Sequence, residues 1–296
     1  MSMRKQFVES VLRVLRMDDR VVLLLGDIGV FGFRDAFRDF PDRVYNIGIL
    51  EQATVGVAAG LAKAGLIPIV HTIAPFLTER CLEQIKIDFG YQRLRGSFVT
   101  VGASYDYAQL GCTHHCPGDV QVLSSIPGMK IVLPGCAAEF DQLFMQNHAA
   151  DGPTYYRLSD FGNSRAVSTA APGQPEVLKT GSLATVVAVG TTLDAVLEAT
   201  EGLDVAVLYY NVVSPFDGEA LRRHARSPNI LLCEPYYRGG LAADITDAMW
   251  PQPIRLLSVG VPRRFLTNYG NVKEHDAANG LTAPAIRTEL ERLINA

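Results

Sequence analysis

Three short stretches hold the side chains best suited to chemistry. The first is Gly48-Ile-Leu-Glu-Gln52. There Glu51 falls in the first turn of a segment that turns at Gly48 and continues as a helix. A carboxylate at that place complements the helix N-terminus. In a cleft it could also share a proton with a ligand. The second is Cys112-Thr-His-His-Cys116, which packs zinc-type ligands into five residues. Structural zinc sites pair ligands from two separated knuckles, and this spacing cannot easily wrap one ion, so no metal ligand is assigned. The third is Gly26-Asp27, directly after the apolar run Val21–Leu25. An aspartate at a strand end is either a turn former or a ligand contact. His71 ends another apolar run, five residues before Phe76.

The elements that must position these groups follow from periodicity. Residues 4–16 carry an apolar stripe of Phe7, Val8, Val11, Leu12, Val14 and Leu15, which predicts a surface helix. Continuous apolar runs at 21–25, 44–47, 67–70, 97–101, 129–133 and 154–158 read as strands buried on both faces. Helices are expected at 34–40, from Gly48 to about 64, from 75 to 89, and at 136–149. The helix after Gly48 is small on nearly every face (Ala53, Gly56, Ala58, Ala59, Gly60, Ala62), which predicts close approach of another backbone. Residues 159–180 read as a linker. Beyond them strands are expected at 184–189, 204–209, 229–233 and 254–259, with helices at 192–201, 217–226, 240–249 and 281–294. This alternation predicts an α/β chain of two domains, 1–170 and 171–296, each a mostly parallel sheet flanked by helices.

Composition sets the remaining bounds. The 296 residues are 48% hydrophobic and 20% charged with net charge −4, enough for two cores and without the basic surface nucleic acid requires. No run approaches the ~18 apolar residues of a membrane helix. Five scattered cysteines argue against a disulfide framework. The N-terminus lacks a signal-peptide layout, and the expectation is a cytoplasmic protein.

Several segments, in order, resemble the pyrimidine-binding and C-terminal domains of transketolase-type, thiamine diphosphate-dependent enzymes: Gly26-Asp27, Gly48-Ile-Leu-Glu-Gln52, Ala58-Ala-Gly-Leu61, Phe76 with Arg80, Glu83-Gln-Ile85, Gly111-Cys-Thr-His114, Ile126-Pro-Gly-Met129 with Pro134, Gly152-Pro-Thr154, Ser214-Pro-Phe-Asp217, and Glu234 with Gly239-Gly-Leu241. The resemblance implies that Glu51 bonds N1′ of the cofactor's aminopyrimidine, that Phe76 stacks on that ring, and that Asp27 and Ile49 lie beside it. It implies that His114 faces the substrate, and it makes His71 and Arg157 candidate substrate contacts. No Gly-Asp-Gly occurs in the sequence, the signature of the domain that grips the diphosphate through Mg²⁺. The chain therefore resembles the second half of a split enzyme. The resemblance implies an N-terminal, diphosphate-binding partner subunit that holds Mg²⁺, an α₂β₂ heterotetramer, and transfer of a two-carbon ketol unit from a ketose to an aldehyde.

Departures from that pattern bear on substrate. Phe31 stands at an expected serine, Gly102 at a histidine, Asp160 at an arginine and Leu110 at an aspartate; Ile73 and Glu79 replace two aromatic residues of the cofactor pocket. Either the substrate is not a common sugar phosphate or the partner chain holds its phosphate. Two other readings are a beta subunit of a 2-oxo acid decarboxylating dehydrogenase and a catalytically inactive assembly partner. Pyruvate-dependent CO₂ release would mark the former.

Overall fold

The computed structural model describes residues 1–168 and 173–296; the domain boundary expected at 170 lies outside the described residues. The chain forms two twisted sheets. The first has seven strands: β1 (Val21–Leu25), β2 (Val44–Asn46), β3 (Ile67–Ile73), β4 (Gly96–Val101), β5 (Lys130–Val132), β6 (Pro153–Arg157) and β10 (Val212–Ser214). Their spatial order is β10-β5-β6-β4-β3-β1-β2. All pairings are parallel except β10 with β5. The second sheet holds β7 (Glu176–Lys179), β8 (Ala184–Val189), β9 (Val205–Tyr210), β11 (Asn229–Tyr237) and β12 (Arg255–Val261), in the order β12-β11-β8-β9-β7. Its edge strand β7 is antiparallel.

In both sheets the central strands are buried on both faces, as their unbroken apolar runs require. Alternate side chains of the first sheet enter two cores. Val21, Leu23, Leu25, Ile69 and Val99 meet α1 (Met3–Met17) and α7 (Ala137–Asn147) through Phe7, Val11, Phe140 and Phe144. Val22, Leu24, Val70 and Phe98 share a cluster with Val55, Ala58 and Ala59 of α3 (Glu51–Lys63), and that cluster continues into the second sheet through Val187, Leu208 and Leu232. Each such aliphatic side chain, fully buried, contributes about 1.5–3 kcal/mol.

Some expectations are corrected. The helix expected over 75–89 is broken into α4 (Ala74–Thr78), the short α5 (Leu82–Gln84) and a π-helical segment, Ile85–Tyr91. In α4 the Thr78 hydroxyl donates back to the Ala74 carbonyl at 2.9 Å. Such back-bonding bends helices. A further helix, α11 (Val272–Asn279), lies between β12 and α12 (Ala283–Ile294). Among the described residues no other backbone approaches Gly56 or Gly60: a Cβ at either would meet nothing within 4 Å outside its own helix turn.

Strand order reverses at β1, whose successor β2 lies on one side and β3 on the other. At such a switch point the loops after the strands' carboxyl ends diverge and leave a crevice. Asp27 follows β1, Glu51 follows β2, Phe76 follows β3 and the His114 loop follows β4, so all four open on one edge of the first sheet.

Candidate active site

Glu51 is the first residue of α3, its side chain 4% exposed. The apolar face of α3 carries it inward, against the Phe76 turn. One carboxylate oxygen, Oε2, accepts from Nη1 of Arg80 at 3.1 Å. The other, Oε1, is buried without a partner among the described residues. A buried, unpaired carboxylate oxygen is costly, so it marks where a donor on a ligand belongs. The Arg80 guanidinium also lies 4.0 Å from the centroid of the Phe76 ring. One planar N–C–N group thus touches the carboxylate and covers the ring, the two contacts an aminopyrimidine would make. The residues present fit that half of the cofactor.

Phe76, half-buried at the start of α4, meets the edge of His114 at 5.3 Å between centroids. His114 ends a 3₁₀ turn, Ala108–Thr113, and its Nδ1 lies 3.0 Å from the Thr113 hydroxyl. Tyr107 approaches the same imidazole edge-on at 6.3 Å. Glu51, Arg80, Phe76 and His114 therefore form one connected wall.

The other groups of the Cys112–Cys116 stretch diverge. Cys112 is exposed. His115 turns toward His275 of α11. Cys116 is buried, 3.2 Å from the Thr78 hydroxyl and 3.9 Å from a Glu79 carboxylate oxygen, to which it donates. Burial pushes the Cys116 thiol well above its ordinary pKa and raises that of Glu79. Glu79, at an expected aromatic position, thus sits beside a neutral thiol.

Asp27 adopts φ 59° and is exposed. Its backbone N–H donates to Asn46 Oδ1, and Asn46 Nδ2 donates to its carboxylate, both at 3.0 Å. Gly48 N–H donates to the same Asn46 oxygen at 3.2 Å. Asn46 therefore ties the loop after β1 to the turn that presents Glu51, a role sequence reading did not give it. Ile49, in that turn, is exposed.

Two candidate substrate contacts lie deeper than expected. Arg157 is buried beneath the His114 loop, where its Nε donates to Asp119 and its Nη2 to Ser104, each at 2.7 Å. These bonds engage its Nε and Nη2, and its side chain also lines a cavity of about 190 Å³ with Asp106 and Ser159. Asp119 is the first residue of α6 (Asp119–Ser124), directly after Gly118. It accepts from Arg157 and, at 2.8 Å, from the Tyr155 hydroxyl.

His71 is fully buried at the end of β3, with Nδ1 2.9 Å from the Val99 carbonyl. A carbonyl only accepts, so Nδ1 carries the proton. Burial pulls the pKa down to about 4, so the ring is neutral and Nε2 is a bare acceptor without a partner among the described residues. His71 lines a cavity of about 440 Å³ with Arg4, Lys5, Gly29, Phe31 and Phe33. Arg4 and Lys5 lie in the first turn of α1, which Ser2 caps by accepting from Lys5 N–H. Sequence reading passed over this pair. The signal was present: two cations and no acid in a helix's first turn run against the helix dipole.

Fold and sequence together place the chain in a known family. The family described as "Transketolase, pyrimidine binding domain" matches residues 1–160. The chain is 30% identical, over 97% of its length and 96% of the relative's, to an apulose-4-phosphate transketolase subunit of Phocaeicola vulgatus. It is 31% identical to a 6-deoxy-6-sulfo-D-fructose transketolase subunit of a Clostridium species, over 96% of this chain and 92% of the relative. A solved structure titled "Split gene transketolase, inactive beta4 tetramer" superposes with TM-score 0.88 at 26% identity, covering 100% of this chain and 98% of that one. The chain belongs to the transketolase family, and it is a transketolase-like subunit similar to the beta chains of split enzymes. Among the described residues no helix is long and apolar enough to cross a membrane.

Proposed function

We propose that this chain supplies the pyrimidine-side half of a composite active site that moves a two-carbon ketol unit from a ketose donor to an aldehyde acceptor. An N-terminal, diphosphate-binding subunit supplies the other half and holds Mg²⁺. The observation that carries the reading is the buried Glu51 Oε1, unpartnered among the described residues, on a carboxylate whose Arg80 partner covers the Phe76 ring.

Thiamine diphosphate, when bound, supplies a carbanion at its thiazolium C2. Glu51 would hold the proton at the aminopyrimidine's N1′, and Phe76 would support that ring's face. His114 would donate a hydrogen bond to the hydroxyl or developing oxyanion on the donor carbon. Asp27 and Ile49 would border the cofactor through the loops that Asn46 joins.

The face of α3 that carries Ala53, Gly56, Val57 and Gly60 is exposed, as are Ile49 and Leu50 before it. This small, apolar surface supports contact with another subunit. Composite sites come in symmetric pairs, which supports α₂β₂. The cavity at Arg4 and Lys5 supports substrates with an anionic end, the property shared by the phosphate and the sulfonate in the two relatives' names.

The test is Glu51→Gln in the complex with its diphosphate-binding partner. Ketol transfer should fall by about 10²–10⁴-fold, the span of lost proton-transfer catalysis, with the complex intact. Unchanged activity would favour a non-catalytic assembly role.

A further inference from the structure

We propose that His275, in the second domain, is a positioning residue for His114, holding the loop that carries it through Tyr105 and His115. The proposal rests on the reading of His114 as a substrate-facing group.

The loop runs from Gly102 to Gly118 and has little regular structure of its own. Its two arms are joined by one bridge, in which Cys116 N–H donates to the Ser104 carbonyl at 2.7 Å. Helix α11 grips both arms. From the first arm, the Tyr105 ring stacks on His275 at 4.8 Å with 22° between planes, and its hydroxyl donates to Asp276 at 2.6 Å. From the second arm, His115 meets His275 edge-on at 5.4 Å and 84°. His275 is thus a single buried ring against which both arms close.

The imidazole is held mainly by packing. Its Nδ1 lies 3.4 Å from Asn268 Nδ2, and among the described residues its Nε2 has no partner. His115 is set toward the Ala108 backbone. The two adjacent rings act here as flat, rigid surfaces. Burial lowers the pKa of both, which keeps them uncharged near neutrality.

The segment before α11 touches the loop on the other side of His114. Gly111, at φ 71°, lies against Tyr269, where a Cβ would come within 3.2 Å of the ring. The Gly111 carbonyl receives the backbone N–H of both His114 and His115, at 3.0 and 3.2 Å. Tyr269 and His275 therefore bracket the turn that aims His114 at Phe76. A loop whose backbone depends on another domain's rings will not keep a side chain in place without them. A displacement near 1 Å can cost about 10²-fold in rate.

The experiment compares His275→Ala and His275→Phe with wild type, using hydrogen exchange on the full chain and ketol-transfer kinetics on the complex with the partner. In His275→Ala, amides of residues 104–117 should exchange at least about tenfold faster while those of β8 and β11 stay protected. The kcat should fall by about 10–100-fold without a matching loss of folded protein. His275→Phe keeps a flat buried ring and should restore both. Unchanged loop exchange, a rate loss that tracks only the folded fraction, or failure of phenylalanine to rescue would each overturn the proposal. If the wild-type complex transfers no ketol unit, the catalytic reading fails, and the exchange data still decide whether α11 holds the loop.

Discussion

Replacing Arg157 with methionine separates a structural role from a substrate-binding one. The Arg157 and Asp119 side chains are 3% and 0% exposed, and they meet at 2.7 Å. Burial alone would lower the guanidinium's pKa, but Asp119 beside it pushes it up. The Tyr155 hydroxyl also donates to Asp119, Ser104 accepts from Arg157, and the Tyr236 ring lies 5.8 Å from the guanidinium. Arg157→Met removes the cation and leaves Asp119 buried without it, with Oδ1 already lacking a partner among the described residues. Breaking one side of a buried pair costs about 3–5 kcal/mol. At about 2–4 °C per kcal/mol for a chain of this size, the thermal midpoint should fall by roughly 10 °C. The double variant Arg157→Met/Asp119→Leu removes both charges and should recover to within about 1 kcal/mol of wild type. Thermal and urea unfolding of the three proteins measure this. An Arg157→Met protein that unfolds like wild type but shows a raised KM for anionic substrates would refute the reasoning and return Arg157 to the substrate.

Three further outcomes are expected. His71 binds a proton near pH 6.5 when unfolded but only near pH 4 when folded, so its contribution is present above pH 6.5 and is lost as pH falls toward 4; this amounts to about 3 kcal/mol, and the acid loss measured by urea unfolding should shrink in His71→Phe. Arg80→Met should uncover Phe76 and free Glu51 Oε2, tightening thiamine diphosphate binding severalfold in calorimetry of the complex; weaker binding would instead make Arg80 a cofactor contact. Arg4→Ala with Lys5→Ala should raise KM for a phosphorylated or sulfonated substrate by about tenfold or more, in line with loss of charge-assisted hydrogen bonds, and leave an uncharged analogue unaffected.

The parts of this protein legible in its sequence are those encoded locally. Buried parallel strands read as unbroken apolar runs, and their alternation with amphipathic helices gave the α/β layering. Glu51 and Phe76 lie within a few residues of a strand's end, and the long loop that carries His114 follows a third strand, so their shared edge followed from the alternation. Elements without such a pattern escaped notice. Helix α11 buries only His275, so it has no apolar stripe to register. Strand β10 is three residues long and crosses to the first sheet. Strand β7 is half-buried throughout.

The tertiary structure alone decided which polar groups meet. Glu51 finds Arg80 29 positions away, and Arg157 finds Asp119 across 38. Asn46 joins two strand-end turns, and His275 packs on Tyr105 and His115 from the other domain. Hydrophobic periodicity records which way a side chain faces relative to its own element. It does not record which charge, ring or carbonyl waits on that side, because partner choice is set by strand order and domain packing. For that reason the resemblance in sequence pointed to Glu51, Phe76 and His114, while only the fold paired Arg157 with the buried Asp119 and brought Arg4 and Lys5 to the cavity beside His71.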